Sequence, residues 1–509
     1  MATLTKSPSP SRYRTDPSVL DALRSPRLLT REVLAGLVVA MALIPEAISF
    51  SIIAGVDPQV GLFSSFVMAV SIAFLGGRPA MITAATGAVA LVIAPVARDF
   101  GMDYFIATVI LAGIFQVVLG VLGVAKLMRF IPRSVMVGFV NSLAILIFVA
   151  QLPHLLGVPF MVYPLVAVGL LIMVVMPRLT KVVPAPLVAI VLLTVAVVVT
   201  AINVPTVGDQ GELPRSLPEL FIPNVPLTGA TFAIIAPYAI AMALVGLLES
   251  LMTAKLVDDI TDTHSRKTRE AWGQGISNML SGLFGGMGGM GGCAMIGQTM
   301  INVQASGART RISTFLAGVF LLILVVGLGD LVAIIPMAAL VAVMIMVSVL
   351  TFDWHSIRLS TLKRMPRSET IVMLATVVVV VLTHNLAIGV IVGVLVAMVA
   401  FARRVAHFVS VERTLPEGEP VATAYYTVTG ELFFASSNDL TTQFEYADDP
   451  DRIVIDMTRS HIWDASTVAA LDAISNKYER HGKRVVIEGL NDASSTMHSR
   501  LAGNLGGGH

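Results

Sequence analysis

Gly285-Gly286-Met287-Gly288-Gly289-Met290-Gly291-Gly292-Cys293-Ala294-Met295-Ile296 breaks one apolar segment of this chain, and Gly76-Gly77-Arg78-Pro79-Ala80-Met81-Ile82-Thr83 breaks another about 200 residues earlier. Glycine costs about 1 kcal/mol in a helix interior and proline about 3, so neither stretch continues the helix around it. Each reads as a short extended run, Ala80 to Thr83 and Cys293 to Ile296, after which helix resumes. A half-helix that starts inside a membrane presents unpaired N–H groups and a partial positive charge. Two such starts converging favour an anion. The same glycines also allow close helix packing; breaks at corresponding places in two halves favour a substrate site.

The surrounding composition supplies the membrane. The 509 residues are 55% hydrophobic and 13% charged, with mean hydropathy +0.83, which is about half the charge of an average soluble domain. Windows such as 182–201 and 371–382 run almost without charge, and a spanning helix needs roughly 20 such residues. Apolar segments fall at 32–54, 59–75, 79–97, 104–125, 134–152, 162–176, 184–203, 229–254, 270–285, 290–306, 312–329, 332–351, 369–383 and 386–402, which makes fourteen passes. With a cytoplasmic N-terminus, the inward loops hold Arg78, Lys126, Arg129, Arg133, Arg178, Lys181, Lys255, Arg266, Lys267, Arg269, Arg309, Arg311, Arg358, Lys363, Arg364, Arg367, Arg403 and Arg404, and the outward loops only Arg98 and Arg215. That bias supports an even number of passes and two cytoplasmic termini in the cell (inner) membrane; thirteen passes would invert half the loops. Residues 1–28 mix Ser, Pro and Arg without a cleavable apolar region, so they are expected to stay cytoplasmic, with the first span as an uncleaved signal.

An internal repeat accompanies the two breaks. Ala40-Met41-Ala42-Leu43 recurs as Ala241-Met242-Ala243-Leu244, followed by a lone carboxylate in each case, Glu46 or Glu249. Ala80-Met81-Ile82 recurs as Ala294-Met295-Ile296, and Ile131-Pro132 as Ile335-Pro336. With seven spans per half, the second half enters from the opposite side, and an inverted repeat of odd span number marks a transporter. The expected fold is a multispan α-helical membrane protein of 14 transmembrane segments, a 7+7 inverted repeat over 29–203 and 229–407 with broken spans 3 and 10.

From Phe408 the pattern changes. Through His407 the chain has 26 Lys and Arg against 18 Asp and Glu; beyond it, 8 against 15. Apolar strands at 452–457 and 484–488 flank a helix capped by Asp464, lined by Val468, Leu471, Ile474 and Tyr478, and ended by Gly482. This predicts a small cytoplasmic α/β domain over 408–503, with a disordered tail at 504–509.

Several chemistries are excluded. A single cysteine, Cys293, forms no disulfide framework and no cysteine-based metal site, and reads as a small packed residue. No HExxH, GxSxG or Walker sequence is present, so the chain is read as no enzyme, with no cofactor, metal or nucleic acid. The run from Gly286 to Gly291 formally matches GxGxxG, but it follows no soluble strand and has no acidic residue at the expected offset.

Together these features resemble the SulP family of anion permeases with a C-terminal STAS domain. The resemblance rests on Thr299-Met300-Ile301-Asn302-Val303-Gln304-Ala305-Ser306-Gly307-Ala308-Arg309-Thr310, close to the family's T-x-x-N-x-x-x-x-G-A-R-T, with Pro45-Glu46, Thr86-Gly87-Ala88 and Gly430-Glu431-Leu432-Phe433-Phe434. It implies a homodimer in the lipid bilayer, in which a core unit (spans 1–4 and 8–11) moves elevator-like against a gate unit (spans 5–7 and 12–14). Two departures stand out: Gln298 occupies a place where many relatives carry Arg, and Ala84-Ala85 replaces a Gly-Pro before Thr86. Asp464-Ala465-Ser466-Thr467 takes the place of the STAS D-S-S-G turn, which makes Ser466 a regulatory phosphorylation candidate; Asp464 and Thr467 equally suit helix capping.

The candidate site follows. Glu46 and Glu249 are ionisable groups inside spans, where each costs about 2.5–3.5 kcal/mol and serves a function as a rule. They are read as proton-coupling residues; neutral clamps on unwound backbone and a sodium site are the alternatives. Thr83, Thr86, Gln298 and Thr299 supply neutral donors beside Gly87, Met295, Ile296 and Gly297 at the two helix starts. Phe50, one turn after Glu46, walls the site or packs. The expectation is a secondary active transporter of a small anion, coupled to a co-transported proton. The alternatives are an exchanger or channel, sodium-coupled bicarbonate uptake, a nucleobase permease, which lacks a STAS tail, and a membrane-anchored STAS scaffold, which needs no fourteen spans.

Overall fold

The computed structural model describes residues 17–123, 131–179, 185–284, 289–406, 409–416 and 422–503. Lys126, Arg129, Lys181, the first four residues of the run from Gly285 and the 504–509 tail lie outside them. The chain divides into two compact units, Met1–Val394 and Leu395–His509.

The first unit is helical. Its elements are α1 (Val19–Arg24), α2 (Pro26–Ala54), α3 (Pro58–Leu75), β1 (Thr83–Ala84), α4 (Gly87–Phe100), α5 (Met102–Val121), α6 (Arg133–Val149), α7 (Val162–Leu179) and α8 (Ala185–Thr200). There follow α9 (Gly229–Thr261), α10 (Lys267–Leu283), β2 (Cys293–Ala294), α11 (Ile296–Met300) continued by a π turn over Ile301–Ala305, α12 (Arg311–Gly327), α13 (Gly329–Ala333), α14 (Met337–Thr351), α15 (Leu359–Arg364), α16 (Arg367–Thr383) and α17 (Leu386–Ala406), whose residues from Leu395 onward fall in the second unit. The fourteen apolar segments each coincide with a helix or with a strand that turns into one. Among the described residues, seven helices are long and apolar enough to cross a membrane, and α8, α12 and α14 are shorter apolar helices. Of the other segments, α4 and α11 begin only after strands, α10 carries Glu270, Gln274, Ser277, Asn278 and Ser281, and α16 is 17 residues long.

Helix boundaries follow the local chemistry. Pro26 and Pro58 stand in the first turns of α2 and α3, where a missing N–H is harmless. Pro132 and Pro336, the prolines of the repeated Ile-Pro pair, are the N-caps of α6 and α14. Pro45 sits inside α2 and removes a backbone bond in the turn that carries Glu46.

Packing sorts the helices into two groups. α5 packs on α9 and α10, α12 on α2 and α3, and α4 on α2 and α9; separately, α16 packs on α6 and α14 on α6, α7 and α8. Contacts between the groups run through α2 with α8 and α14, and α4 with α6. The first group joins α5 to α10 and α3 to α12, a reciprocal exchange between the two halves of the unit.

The second unit is a four-stranded mixed sheet in the order β3 (Ser410–Thr414), β4 (Thr423–Leu432), β5 (Arg452–Ile462), β6 (Arg484–Glu488). β3 pairs antiparallel with β4, and β4–β5 and β5–β6 are parallel. α18 (Phe434–Leu440), α19 (Ala465–Arg480) and α20 (Asp492–Leu501) complete it. Asp464 caps α19, and Val468, Leu471, Ile474 and Tyr478 bury the face read from the sequence, against Tyr426, Val428, Ile453 and Ile455. β5 runs five residues beyond the apolar stretch that announced it, to Ile462.

Candidate anion site

β1 and β2 pair antiparallel, Thr83 with Ala294 and Ala84 with Cys293, so the two chain breaks meet. Each pairing strand ends at a helix start: Thr86 caps α4 and Met295 precedes α11. The repeated tripeptide is out of step with this geometry. Ala80-Met81-Ile82 precedes β1, whereas Ala294-Met295-Ile296 runs from β2 into α11, so that sequence match does not align the two helix starts.

The breaks are held by side chains from other helices. Thr299 Oγ1 accepts the Ile82 N–H at 3.0 Å, Asn302 Nδ2 donates to Ala80 O at 2.8 Å, and Thr314 Oγ1 to Met81 O at 3.2 Å. On the other strand, Ser250 Oγ accepts the Ala294 N–H at 3.1 Å, and Asn278 binds both the N–H and the carbonyl of Gly292. Gly291 sits at φ +65°, and a Cβ there would lie 2.6 Å from Asn278 Oδ1, so the turn into β2 requires glycine.

Around the helix starts the candidate residues converge. Thr86 Oγ1 accepts the Val89 N–H and lies 3.1 Å from Cys293 Sγ. Cys293 Sγ in turn lies 3.1 Å from Glu249 Oε2. Glu46, half-buried on α2, is hydrogen-bonded by the Gln298 side chain, and the Gln298 Oε1 is buried without a partner. Phe50 packs over the start of α4: a Cβ on Gly87 would fall 2.8 Å from its ring. Gly297 differs from its neighbours, being exposed, with nothing within 4 Å of where a Cβ would stand. Open space therefore reaches the first turn of α11, where backbone N–H groups have no helical partner.

The sequence reading missed two features. Cys293 is packed as expected, but it also joins the α4 cap to the α9 carboxylate. Thr83 Oγ1 accepts from Gln274 Nε2 at 2.8 Å, which also donates to Glu270 Oε1 at 2.8 Å, and Glu270 Oε2 accepts the N–H groups of Gly77 and Arg78. Thr83 is thus tied to α10 more firmly than its place among substrate donors suggested. Both features join residues far apart in the chain, which no local pattern announces.

In the second unit, Ser466 is exposed in the first turn of α19, and Asp464 binds the Thr467 and Phe434 N–H groups. Capping accounts for Asp464 and Thr467 and leaves the Ser466 hydroxyl in solvent.

Residues 29–164 and 159–376 match the Sulfate permease family, and residues 417–501 match the STAS domain. The chain is 51% identical over 474 residues to the "Putative sulfate transporter YbaR" of Bacillus subtilis (strain 168), covering 93% of this chain and 97% of that one. The transmembrane domain of a cyanobacterium bicarbonate transporter, BicA, superposes with a TM-score of 0.62 at 27% identity, covering 73% of this chain and 98% of that one. Murine Solute Carrier 26 family member A9 in the inward-facing state shares the fold at a TM-score of 0.79 and 16% identity, over 95% and 89% of the two chains. The paired breaks, the helix starts they bring together and the mixed-sheet tail thus sit in a chain that belongs to the sulfate permease family of membrane anion transporters.

Proposed function

We propose that the protein is a secondary active transporter that moves a small anion, an inorganic oxyanion or a dicarboxylate, together with a proton. The observation that carries this reading is the pairing of β1 with β2, which sets the starts of α4 and α11 side by side with Glu46 and Glu249 adjacent. Two helix termini supply partial positive charge for the anion. Two carboxylates supply a place for a proton, whose binding offsets the charge of the incoming anion. With Gln298 in place of a fixed cation, the site depends more heavily on those dipoles and on the proton, which suits an anion that shares charge with a proton, such as a C4 dicarboxylate.

The movement we assign is elevator-like, with the α2–α5 and α9–α12 group as core and α6–α8, α14, α16 and α17 as gate, each half of the chain contributing seven spans in inverted order. An apolar cavity of about 520 Å³ between Met41, Ile44 and Pro45 of α2 and Leu187, Ile190 and Val191 of α8 supports it, since a greasy seam resists sliding less than a hydrogen-bonded one. We assign the protein to the cell (inner) membrane as a homodimer, both termini cytoplasmic, with STAS over 408–503.

Uptake of a labelled anion panel into proteoliposomes, with an imposed pH gradient and with or without sodium, tests the reading. Sulfate, bicarbonate, chloride and dicarboxylates belong in the panel, bicarbonate because of the likeness to a bicarbonate transporter's transmembrane domain. Accumulation driven by an inside-alkaline gradient supports it. Sodium-driven bicarbonate uptake that ignores pH would replace it with the sodium-coupled reading.

A further inference from the structure

Three buried side-chain atoms without a partner among the described residues lie on one helix: Gln274 Oε1, Ser277 Oγ and Ser281 Oγ of α10. Their spacing of three and four residues puts them on one helix face over roughly 10 Å of axis. All three residues are wholly buried. Leaving a buried polar atom unmade costs about 1–3 kcal/mol, so three in a row call for a partner outside the protein.

Other hydroxyls in this unit do not leave such gaps. Ser49, Ser51, Ser65, Ser142, Thr253 and Thr376 each turn back onto the carbonyl four residues earlier. Ser277 and Ser281 have the Gly273 and Ser277 carbonyls at the same spacing and do not use them. Close packing of α10 on α5 is done by a different face, where Gly275 meets Gly113 and Val117 and Gly282 meets Ile110. The polar face is therefore free of that contact.

The two ends of the row are defined. At one end Gln274 Nε2 holds Thr83 Oγ1, on the residue that pairs with Ala294 between β1 and β2. At the other, Ser281 Oγ and Ser64 Oγ both border Gly289, where a Cβ would overlap them at 2.5 and 2.7 Å. Buried water typically makes about three hydrogen bonds to such groups. We propose that this face of α10 holds a single file of water that carries protons between the Gly289 end of the helix and Thr83 beside the anion site. This rests on the proton-coupled reading above and gives the proton a route of its own, separate from the open space at Gly297. Each water accepts one proton and releases another, so nothing but charge is transferred. The titratable group at the inner end is Glu270, already bound by the Gly77 and Arg78 N–H groups and by Gln274, with Arg311 of α12 alongside; the site carboxylates Glu46 and Glu249 are held elsewhere, by Gln298 and Cys293. Glu270 is an anchor for the file, and the site carboxylates are its destination.

The test has two arms on the full-length protein. Cryo-electron microscopy at a resolution that shows solvent should find density within hydrogen-bonding distance of Gln274 Oε1, Ser277 Oγ and Ser281 Oγ. Hydroxyls turned onto the Gly273 and Ser277 carbonyls, with no solvent, would overturn the file. In proteoliposomes, the Ser277→Ala, Ser281→Ala double variant, which raises helix propensity and so should fold, should lose gradient-driven anion accumulation while keeping anion counterflow. Retained accumulation with solvent present would overturn the proton role. A wild-type protein that ignores pH would sink the coupling reading and the proton role with it, while the first arm still decides whether the water is there.

Discussion

Cys293 Sγ lies 3.1 Å from Glu249 Oε2, and on its other side 3.1 Å from Thr86 Oγ1. The chain's single thiol thus links the carboxylate of α9 to the cap of α4, across the two halves of the transport unit. Cys293→Ala removes that donor and leaves Glu249 buried with one partner fewer, at a cost of about 1–3 kcal/mol. Thermal melting in detergent should show a lowered midpoint for Cys293→Ala and a largely restored one for Cys293→Ser, which keeps a donor of similar reach. Equal melting of all three proteins would mean that the thiol only fills space.

Gly297 is the cleanest place to block the site. Bulky replacements at Thr86 or Gln298, each about 2% exposed, overpack their surroundings as well as the site. A Cβ at Gly297 meets no atom within 4 Å, so Gly297→Leu starts into open space rather than into packed neighbours. Anion affinity, measured by calorimetry on the purified protein, should fall about tenfold or more, a change of about 1.4 kcal/mol, with gel-filtration behaviour unchanged. Full affinity in this variant would place the anion elsewhere.

Glu46→Gln and Glu249→Gln keep side-chain size and hydrogen bonding but remove titration. At least one of them should uncouple uptake from an inside-alkaline gradient while exchange of anion for anion persists. Both variants showing the wild-type pH dependence of uptake would remove the carboxylates from the coupling mechanism.

The parts of the molecule legible in the sequence are those with local causes. Pro132 and Pro336 mark helix starts because proline has no N–H to lose at that position, and Asp464 with the apolar face from Val468 to Tyr478 defines α19 from its own residues. The glycine-rich runs announced the breaks for the same reason. What the breaks bind was not legible: the partners of Cys293 lie 44 and 207 positions away, and Gln274 reaches Thr83 across 191. One repeated tripeptide does not align with the strand register: Ala80-Met81-Ile82 precedes β1, while Ala294-Met295-Ile296 starts inside β2.

The STAS sheet carries a pH limit of its own. Tyr446, which touches the Tyr478 ring and carries the Lys477 ammonium over its own, is pushed up to about 12 by burial, and burial together with the Asp449 carboxylate raises Tyr478 as well. The folded domain therefore keeps phenolic protons that the unfolded chain releases near its ordinary value of 10. Their contribution to stability is complete below that pH and is lost as pH rises toward 12. Trp463 fluorescence, in a protein with Trp272 and Trp354 replaced by Phe, should report unfolding of this domain across that alkaline window. Tyr446→Phe should shallow the pH dependence, and an unchanged slope would count against the assignment.

The tail's acidic excess of 15 carboxylates over 8 basic groups, joined to a transport unit rich in Arg and Lys, invites an electrostatic role, but screening limits it. A Debye length near 8 Å at physiological salt confines attraction to close approach. The domain's core of Tyr426, Val428, Ile455, Leu471 and Tyr478 is built from its own strands and helices. Every residue assigned to the anion and proton sites lies before Val394, in the other compact unit. Truncation after Ser410 should therefore change expression or transport rate while leaving the order of preferred anions and the response to a pH gradient as they are. Competition uptake with the same anion panel, on full-length and truncated protein side by side, reads this directly. If the truncated protein passes through gel filtration as a folded species yet exchanges its preferred anion for another, the STAS domain shapes the site, and a positional and regulatory role is the wrong one.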